Sequence, residues 1–437
     1  MDVRNKLAGK KITVMGLGLL GRGVGDTKFL AEQGAELIVT DLKSKEELAP
    51  SLAQLEDFSN ITYVLGECRL EDFRGRDFIL KAAGVPLDSV FIAEAEKEGT
   101  PIKMSASWFA ELADIPVIGV TGTRGKSTTT HMIHSIMKEA GMPVLLGGNV
   151  RGVSTLALLD DATSEHYALF ELDSWQCQGF GDEKMSPHIA VFTTFMADHM
   201  VYYKDDMEVY LRDKAQIFLH QKTEDMLVLG SQCEEVVREA YGSKFTGEVV
   251  VANDATLPVD WQLQVPGVHN RYDAGLALAA ARVLGISDEV SREALEAFAG
   301  VPGRLEFLRE VDGVKIYNDT NATTPDATIA ALSALPGGKT ILIMGGFDKG
   351  LVMDELVRVA QARAKHVVLL AGTGTERIKD AFPDANVHTN LAGAVAEAVT
   401  NSEPGDAVVL SPAFASFGMF KNEYDRGDQF VEIVQKL

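Results

Sequence analysis

The sequence predicts an α/β protein of three domains, and three observations support this prediction. With 437 residues, the chain is well above the roughly 250 residues at which a single hydrophobic core stops growing. Short apolar segments typical of buried strands alternate with longer stretches typical of helices, which indicates parallel sheets. Two of these segments run directly into glycine-rich turns, as strands do before phosphate-binding helices. We expect domains at residues 1–113, 114–300 and 301–437.

The predicted strands fall into three groups. The first group is KITVM, LIVTD, FILKAAGVP and PIKMSA, with the helical stretch VGDTKFLAEQGA between its first two members. The second group is PVIGV, YALFEL, HIAVFTT and DMLVLG, and the third is VKIYND, KTILIMGG, HVVLLAG and DAVVLSP. The first boundary falls near Asp114, where IPVIGVTG begins a new buried strand. The Gly/Pro-punctuated segment FAGVPGRLEFL is a hinge candidate before the third group.

Composition and charge exclude several classes of function. The formal net charge of -22 repels phosphate backbones and anionic lipid, and no basic patch offsets it. No stretch approaches the ~18 uninterrupted apolar residues typical of a membrane span. Cys68, Cys177 and Cys233 are an odd set without paired spacing, which favours a reducing compartment. We expect a cytoplasmic protein that acts on small molecules and binds neither nucleic acid nor membranes.

The strongest functional signal is a glycine-bearing loop between an apolar strand and a helix, in VIGVTGTRGKSTTTHMIHSIMKEAG (117–141). In this setting backbone N–H groups and the helix N-terminus face a phosphate, Lys126 reaches the β- and γ-phosphates, and the Ser127 hydroxyl can ligate Mg²⁺. Gly125 permits close approach. The spacing departs from the common P-loop, because Val120 stands where its first glycine would be.

A second glycine turn follows the first strand. Gly16, Gly18 and Gly21, with Asp41 at the end of the second strand, fit the GxGxxG fingerprint with an acidic residue ~20 positions on. Taken alone, this fingerprint predicts a nicotinamide-dinucleotide dehydrogenase. The same turn can hold any nucleotide-sugar diphosphate, and the second phosphate loop downstream favours that interpretation. A purely structural turn is the third alternative.

Candidate metal ligands follow two other strands of the central group. Glu171 lies at the end of YALFEL, while Asp198 and His199 lie just past AVFTTF. Because the carboxyl ends of parallel strands meet at one edge of a sheet, these side chains can converge on Mg²⁺ bound to the γ-phosphate. Either carboxylate alone is more often a helix N-cap or a solvated charge, so the hypothesis depends on their convergence.

Other conspicuous residues have simpler interpretations. His131 and His134 lie three residues apart on the helix after the phosphate loop, but two histidines without a third ligand are usually surface or packing residues. Trp175 is interpreted as a core residue. The acidic run KDDMEVYLRDK (204–214) predicts an exposed helix face, and on spacing alone Lys214 is an ordinary surface lysine.

Nine motifs in a specific order resemble the Mur ligases from end to end. They are VTGTRGKSTTT, ELDSWQ (171–176), ADHM (197–200), DKAQIF (213–218), PGVHNRYDAGLALAA (266–280), VPGRLEFL (301–308), YNDTNATTPDAT (317–328), MGGFDKG (344–350) and LSPAFASFGMFKNEYDRGDQF (410–430). The GLGLLG start, the FDKG loop and the SPAFASF…RG ending are most similar to those of the members that add D-glutamate to UDP-N-acetylmuramoyl-L-alanine.

The resemblance implies a Rossmann-like N-terminal domain for the UDP-sugar, a central P-loop ATPase-type parallel sheet, and a Rossmann-like C-terminal domain that closes over the site. ATP would be held by Gly122, Thr123, Arg124, Gly125, Lys126, Ser127, Thr128, Asn270, Arg304 and Asp319. The UDP-linked substrate would be held by Gly16, Gly18, Leu19, Gly21, Asp41, Gly84 and Asn149. The amino acid would be held by Lys349, Ser416 and Phe417, and two magnesium ions by Ser127, Glu171, His199 and Lys214.

The resemblance also implies a two-step reaction with Lys126, His199, Lys214 and Lys349 as catalytic residues. The terminal carboxylate of UDP-N-acetylmuramoyl-L-alanine attacks the γ-phosphate of ATP to give ADP and an acyl phosphate, and the amine of D-glutamate then displaces phosphate. Lys214 matches the lysine that family members carbamylate with CO₂. ATP and Mg²⁺ are the expected cofactors, and the protein is expected to be a monomer.

Several positions depart from the D-glutamate-adding members. Asn321, in NDTNAT, replaces a lysine that contacts the glutamate in the usual NDSKAT, and Lys43 stands where an arginine is common. The loop MADH replaces TEDH, and Asp273 replaces a common asparagine. Loss of one cation from a dicarboxylate pocket is expected to weaken selection for D-glutamate.

Three hypotheses therefore compete: a ligase, a dinucleotide dehydrogenase, and a P-loop regulatory or binding protein without ligase activity. The dehydrogenase hypothesis leaves Lys126 and Ser127 unexplained. The third domain, with Lys349 and Ser416, is unnecessary for a simple binding protein. Within the family, another Mur-type or folylpolyglutamate-synthase-like activity with a different amino acid is the alternative.

Overall fold

A computed structural model describes residues 6–19, 21–86 and 88–437. The chain divides into two compact units. The first contains the residues up to Pro258 together with Asp273–Ala294, and the second contains Val259–Tyr272 and Leu295–Leu437. The first unit holds two sheets and the second holds one. Three α/β sheets confirm the predicted fold class, while the three domain boundaries stay a prediction. In the described part of the chain, no helix is long and apolar enough to cross a membrane.

The first sheet is parallel and has the order β3-β2-β1-β4-β5. Its strands are β1 (Lys11–Met15), β2 (Glu36–Asp41), β3 (Ile61–Leu65), β4 (Phe78–Lys81) and β5 (Ile102–Lys103). The helices are α1 (Arg22–Glu32), α2 (Ala49–Leu52), α3 (Val90–Lys97) and α4 (Ser105–Ala113). The turn between β1 and α1 requires left-handed backbone at Gly16, Gly18 and Gly21, which glycine adopts without steric cost.

The second sheet is also parallel, with the order β11-β10-β9-β6-β8-β7. Its strands are β6 (Val117–Thr121), β7 (Val144–Gly148), β8 (Tyr167–Glu171), β9 (Ile189–Phe192), β10 (Met226–Gly230) and β11 (Glu248–Ala252). The helices are α5 (Lys126–Glu139), α6 (Ser174–Asp182), α7 (Met200–Tyr203), α8 (Met207–Ala215), α9 (Glu234–Tyr241), α10 (Val268–Val283) and α11 (Asp288–Ala297). Every residue of β6 is buried, and β6 pairs with β8 and β9. The loops after these three strands therefore emerge side by side.

A common hydrophobic core joins the first two sheets. Helix α4 lies at the junction: Trp108 packs on Phe78 of β4, with ring centroids 5.2 Å apart, and Phe109 meets Phe170 of β8 edge-on at 5.2 Å. Both aromatic side chains of α4 are almost fully buried. The glycine turn after β1 and the loops of the second sheet are therefore parts of one packed body.

The third sheet is mixed, with the order β12-β13-β17-β14-β15-β16. Its strands are β12 (Glu306–Val311), β13 (Val314–Asn318), β14 (Thr340–Gly345), β15 (Ala364–Leu370), β16 (Val387–His388) and β17 (Ala407–Leu410), and the helices are α12 (Pro325–Ala334), α13 (Asp354–Arg363), α14 (Leu391–Thr400) and α15 (Glu423–Gln435). The strands are parallel except for the antiparallel pair β12/β13. Asp312 and Gly313 join that pair, both with positive φ, as a two-residue hairpin turn needs.

Candidate active site

The loop between β6 and α5 is held against the loop after β9. Gly122 has a φ of 142°, and a Cβ at this position would lie 2.0 Å from the Oγ1 of Thr193. Gly125 is the N-cap of α5 with a φ of 85°, and its Cβ would lie 2.3 Å from Oδ1 of Asp273. Glycine is therefore required at both positions by backbone conformation and by space. The predicted glycine loop exists, and it presents an α5 N-terminus without a side-chain cap.

The backbone N–H groups of Thr123 and Arg124 donate hydrogen bonds within the protein rather than outward. Thr123 N donates to Thr194 O at 2.7 Å, and Arg124 N donates to Oγ1 of Thr194 at 2.9 Å. The Thr123 hydroxyl donates to Met196 O at 3.1 Å. Thr128 lies in the first turn of α5, ahead of Thr129, whose N–H donates the first backbone hydrogen bond of that helix. Phosphate binding at this loop is therefore expected at the N-terminus of α5.

Two lysines converge on one oxygen of this loop. Lys126 Nζ donates to the carbonyl oxygen of Gly122 at 3.1 Å and to that of Thr123 at 3.1 Å. Lys214 Nζ, from α8, donates to the same Gly122 oxygen at 2.8 Å. Both side chains therefore lie at the loop that the sequence predicts to bind phosphate.

Lys214 is not the surface lysine that its spacing predicts. Its side chain is 1% exposed, and Tyr210, Leu211 and Asp213 of the same helix are buried with it. The ammonium group lies 4.9 Å from the Tyr210 ring centroid. Burial, followed by the charge of Lys126, lowers the pKa of Lys214 to about 7. The exposed helix face predicted for 204–214 is therefore wrong for this end of α8, because the helix packs that end against the glycine loop.

His199 follows β9 and contacts an aromatic cluster. Its backbone is left-handed, with a φ of 56°, and its ring centroid lies 4.7 Å from that of Trp175. Burial, with the nearby cations Lys126 and Lys214, lowers the pKa of His199 in spite of the opposing carboxylate of Asp198. The imidazole is therefore favoured in its neutral form, with a nitrogen lone pair available to a metal ion. Trp175 is partly buried, so it belongs to the wall of this site.

Asp198 pairs with Arg124 rather than standing alone. The Arg124 guanidinium donates to Oδ2 of Asp198 at 2.7 Å, and His199 Nε2 lies 3.8 Å from the same oxygen. This ion pair joins the glycine loop to the segment after β9. Asp198 and His199 therefore lie together beside the loop, as predicted, although the carboxylate is neutralised by an arginine.

Glu171, at the end of β8, offers a buried carboxylate beside the glycine loop. Its side chain is 3% exposed, and within the described ranges no side-chain hydrogen bond or ion pair of Glu171 is found. Ser127 is 7% exposed at the start of α5. A carboxylate and a hydroxyl of this kind fit Mg²⁺, which takes few protein ligands and completes its shell with water and phosphate oxygens. The described residues contain no group of three or more acidic, His or Cys side chains arranged to hold a metal, and the magnesium ligands stay a prediction.

His131 and His134, on the next turns of α5, remain structural residues. His131 Nδ1 lies 2.8 Å from the carbonyl oxygen of Ser127. Burial lowers the pKa of His134. These contacts fit packing residues of the helix, as the sequence predicts.

The glycine turn after β1 is shaped by Asp41. Its Oδ2 accepts a bond from Gly18 N at 2.9 Å, and its Oδ1 accepts one from Lys43 N at 2.9 Å. The carboxylate therefore holds the turn, and its predicted contact with the substrate stays a prediction. Leu19 at the tip is 49% exposed, and Gly84 has a φ of 79°.

Asn149, after β7, contacts the same turn. Arg22, the first residue of α1, donates through Nη1 to Asn149 Oδ1. The backbone N of Asn149 donates to Glu171 O at 2.7 Å. Asn149 therefore links the first glycine turn to the strand that carries the candidate metal ligand. Arg22 was not singled out from the sequence; its position directly after the last glycine of GxGxxG is the signal that marks it.

In the second unit, Asp319 follows β13, and both of its carboxylate oxygens accept hydrogen bonds. Its Oδ1 accepts from Leu305 N at 2.9 Å and its Oδ2 accepts from Ser411 Oγ at 2.7 Å. Burial raises the pKa of Asp319 to about 7. Arg304 is exposed on the adjoining loop, and Asn270 Nδ2 donates to Pro266 O at 2.6 Å. Arg304 and Asp319 are thus neighbours, and their contacts with ATP stay a prediction.

The three residues predicted to bind the amino acid lie in neighbouring loops of the second unit. Phe347, before Lys349, bridges to Ala415 and meets the Phe417 ring edge-on at a centroid distance of 5.9 Å. Ser416 is 3% exposed, and in the described parts of the chain its hydroxyl has no hydrogen-bond partner. Lys349 Nζ donates to the Thr323 hydroxyl at 3.3 Å. The cluster therefore combines a cation, a hydroxyl and an exposed aromatic ring.

Arg426 is a further residue that the sequence did not single out. Its side chain is 0% exposed and donates to the Thr320 carbonyl oxygen at 2.8 Å and the Phe414 carbonyl oxygen at 3.3 Å. It thereby ties the loop after β13 to the segment that carries Ser416. The motif YDRGDQF contains it, but only the fold shows that this arginine is internal.

Three family models match the chain in the order of its three sheets. They describe the MurD-like Mur ligase N-terminal domain over residues 10–103, the Mur ligase middle domain over 120–256, and the Mur ligase glutamate ligase domain over 303–414. The chain belongs to the Mur ligase family.

Curated relatives cover the whole length. A UDP-N-acetylmuramoylalanine–D-glutamate ligase of Roseiflexus sp. (strain RS-1) is 36% identical, over 99% of this chain and 100% of the relative. One of Acetivibrio thermocellus is 33% identical, over 100% and 98% respectively. Among solved structures, the UDP-N-acetylmuramate-alanine ligase MurC of Thermotoga maritima is 19% identical with a TM-score of 0.63, over 98% of this chain and 99% of that one. The MurF ligase of Thermotoga maritima in complex with ADP is 16% identical with a TM-score of 0.61, over 99% and 96%, and both show the shared fold.

Proposed function

We propose that this chain is an ATP-dependent ligase that adds D-glutamate to UDP-N-acetylmuramoyl-L-alanine and releases ADP and phosphate, a step of peptidoglycan precursor synthesis. The full-length relatives with that activity in their names support the substrates. The observation that carries the chemistry is the convergence of Lys126 and Lys214 on the Gly122 carbonyl oxygen. In a chain with a net charge of -22, the ammonium group of Lys126 at this glycine loop supports an anionic ligand such as a triphosphate.

In the first step, the terminal carboxylate of the UDP-linked substrate attacks the γ-phosphate of ATP. Lys126 leaves its carbonyl contacts for the β- and γ-phosphate oxygens and offsets the charge that develops on them. The neutral His199 and the carboxylate of Glu171 are suited to hold Mg²⁺, which supplies further charge neutralisation when bound. The products are ADP and an acyl phosphate.

Lys214 is suited to carbamylation. A buried amine with a pKa of about 7 is in substantial part neutral near pH 7, and the lone pair of the neutral form can attack CO₂. The nitrogen forms a bond to carbon, releases a proton, and the side chain becomes a carbamate anion. Repulsion between Lys126 and Lys214 is then replaced by attraction. The new carboxylate gives the site an additional anionic ligand for a second Mg²⁺.

In the second step, the amine of the incoming amino acid attacks the acyl phosphate and phosphate leaves. We assign binding of this amino acid to Lys349, Ser416 and Phe417 of the second unit. The buried Ser416 hydroxyl without a protein partner supports this assignment, because buried hydroxyls are normally hydrogen-bonded. Lys349 supplies the charge that a carboxylate of the amino acid requires.

We also assign the turn that binds the uridine diphosphate, the cellular compartment and the oligomeric state. The glycine turn at Gly16–Gly21 binds the uridine diphosphate end of the substrate at the N-terminus of α1. We assign the protein to the cytoplasm, where ATP is abundant and the free thiols of Cys68, Cys177 and Cys233 stay reduced. We propose that it acts as a monomer.

The proposal is tested by phosphate release from ATP with UDP-N-acetylmuramoyl-L-alanine and a panel of D- and L-amino acids. Release is expected only when the UDP-linked acceptor and D-glutamate are both present, with formation of an amide. The Lys126→Ala variant should lose this turnover, because the lysine stabilises charge in the transition state. Full turnover by Lys126→Ala would refute the assignment of the ATP site.

One observation favours a different amino acid as the second candidate. Asn321 places a neutral side chain, with Nδ2 donating to Pro302 O at 3.4 Å, where similar D-glutamate ligases have a lysine. Another Mur-type or folylpolyglutamate-synthase-like ligase activity would follow if a different residue were joined. In the same panel, ligation of another amino acid with D-glutamate no better than the blank would establish this alternative.

A further inference from the structure

Arg22 connects two segments to which we assign binding of the UDP-linked substrate, the start of α1 and the loop after β7. It is the first residue of α1, directly after Gly21, and its Nη1 donates to Oδ1 of Asn149 after β7. The two residues are 127 positions apart and belong to different sheets of the first unit. No composition or spacing rule predicts such a contact, which exists only because the two loops pack together.

The packing around this contact fixes its geometry. Asp26, one turn along α1, accepts a hydrogen bond from Ser154 Oγ at 2.7 Å and from Leu156 N at 3.2 Å. A Cβ on Gly25 would lie only 2.5 Å from the Cβ of Ser154, so the helix approaches the loop as closely as glycine allows. Arg22 therefore extends from a firmly attached helix end.

The contact also determines which way the Asn149 amide faces. A guanidinium group only donates hydrogen bonds, so the atom of Asn149 that faces Arg22 is the oxygen. The amide NH₂ then points away from Arg22. The Asn149 backbone N–H is already engaged by Glu171 O at 2.7 Å. The side chain of Asn149 is thus oriented to donate to an acceptor on the substrate.

The electrostatic setting of Arg22 favours an anion. Helix α1 has no acidic residue in its first turn and no side-chain cap, so its N–H dipoles add to the charge of Arg22. Two carboxylates interact electrostatically with Arg22, those of Asp26 and Asp173, and both are buried. Asp26 is held by Ser154 and Leu156 N. One Nη1–H bond to Asn149 leaves the guanidinium with further N–H donors.

We propose that Arg22 is a positioning residue of the ligase. Its guanidinium binds the diphosphate of the UDP-linked substrate through its other donors while its Nη1 holds Asn149 toward the acyl part of the same substrate. Binding of the nucleotide end and orientation of the reacting end are thereby coupled through one side chain. This inference rests on the proposed function and adds a residue that recognises the diphosphate.

Equilibrium binding of UDP, UMP and uridine separates the diphosphate contact from the rest of the site. We expect Arg22→Gln to weaken UDP binding about ten- to a hundredfold, the usual worth of a charge-assisted hydrogen bond, and to leave uridine binding unchanged. Arg22→Lys keeps the charge and should retain part of the UDP affinity. Lys28→Gln is the matched control, because it removes an exposed cation from the same helix, and it should bind UDP as the parent does.

Turnover tests the orientation of Asn149. With Arg22→Gln, the KM for the UDP-linked substrate should rise and kcat should fall, while the KM for ATP stays unchanged. The Asn149→Ala variant should lose kcat too, and the double variant should lose less than the product of the two single losses, because the residues act together. The thermal unfolding midpoint of Arg22→Lys should equal that of the parent, which excludes misfolding as the cause of the changes.

The outcomes separate this inference from the proposed function. Equal UDP affinity of Arg22→Gln and the parent would overturn the inference while leaving ligase activity in place. Multiplicative losses in the double variant would overturn the coupling to Asn149. A parent protein that binds neither UDP nor uridine and releases no phosphate would instead refute the proposed function.

Discussion

Lys126 and Lys214 donate hydrogen bonds to one and the same oxygen, the carbonyl oxygen of Gly122, at 3.1 and 2.8 Å. Two ammonium groups this close repel each other, and burial of Lys214 adds the cost of removing a charge from water. The arrangement is relieved when Lys126 turns to a phosphate and Lys214 becomes neutral or anionic. We therefore expect a phosphate to bind beside Lys126, and we expect Lys214 to lose its charge or to become carbamylated.

Ligase activity is accordingly expected to depend on CO₂. In degassed, CO₂-free buffer, kcat should fall by at least about tenfold, as expected when a metal site loses a supporting ligand, and added bicarbonate should restore it. Phosphate release measures the effect, and intact-protein mass should show one added CO₂. Lys214→Arg is the control, since arginine stays charged and cannot form a carbamate. Full activity of Lys214→Arg, or indifference of the parent to CO₂, would contradict the prediction.

Substitution of Gly122 should abolish nucleotide binding. Substitution of Gly141, a glycine that also has a positive φ, should not. In Gly122→Ala, the new methyl group would lie 2.0 Å from the Thr193 hydroxyl and 2.8 Å from Thr194 N, so the loop must move. We expect a loss of about 1–3 kcal/mol in the free energy of unfolding from overpacking, together with loss of ATP binding.

Gly141→Ala is the matched control, because Gly141 has a φ of 68° and open space around its Cβ position. It should show only backbone strain of about 1–2 kcal/mol and bind ATP normally. Urea unfolding and ATP titration measure both effects. Equal loss of ATP affinity in the two variants would show that the effect comes from general destabilisation.

The fold was predictable where strands are internal. Each residue of β6 is buried, and its continuous apolar run in the sequence marks it as a central strand. Strand β3, at the edge of the first sheet, has Thr62 and Tyr63 exposed, and it was not predicted. Strand β12, at the edge of the third sheet, carries charged residues and depends on the turn at Asp312 and Gly313. These two edge strands lack a continuous apolar signal because several of their side chains are exposed to water.

The candidate site was predictable where its residues are contiguous or directly follow neighbouring strands of the second sheet. The glycine loop with Lys126 is recognisable because one strand, one turn and one helix form it. Lys214 gives no local signal, since its burial results from packing of α8 on Gly122, 92 residues earlier in the chain. The Arg22–Asn149 contact is invisible for the same reason. Pair contacts across long separations are decided by tertiary packing, and sequence periodicity carries no record of them.

Asp319 should make the free energy of unfolding depend on pH. Its pKa is raised from 3.8 to about 7 in the folded state by burial, so between these values the folded protein keeps a proton that the unfolded chain has lost. This contribution to stability is complete below pH 3.8 and decreases as the pH rises toward 7. The slope from one such group is at most about 1.4 kcal/mol per pH unit.

The Asp319→Asn variant isolates this group, because asparagine keeps the shape and cannot titrate. Relative to the variant, the parent should lose urea resistance between pH 5 and pH 7 and show no further relative change above about pH 8. Urea midpoints measured across this range provide the comparison. Parallel midpoint curves for parent and variant would show that the carboxyl is ionised throughout.

Asn321 should limit how strongly the enzyme prefers D-glutamate. Its backbone N donates to Gly303 O at 3.0 Å, and its side-chain Oδ1 is buried with no hydrogen-bond partner in the described chain. A lysine at this position adds a cation two residues before Thr323, whose hydroxyl accepts a hydrogen bond from Lys349 Nζ at 3.3 Å. We expect Asn321→Lys to raise kcat/KM for D-glutamate about tenfold relative to D-glutamine, since only the former carries a second carboxylate.

Asn321→Gln is the control for size, because it lengthens the side chain without adding charge, and its D-glutamate to D-glutamine ratio should match that of the parent. Phosphate release with each amino acid at several concentrations gives the ratio directly. If Asn321→Lys and Asn321→Gln changed the ratio alike, the effect would be steric and this position would not read the charge of the amino acid. If the D-glutamate to D-glutamine ratio rose only in the lysine variant, the added charge would be the cause. The amino-acid pocket of the parent would then have room for one more cation than it contains.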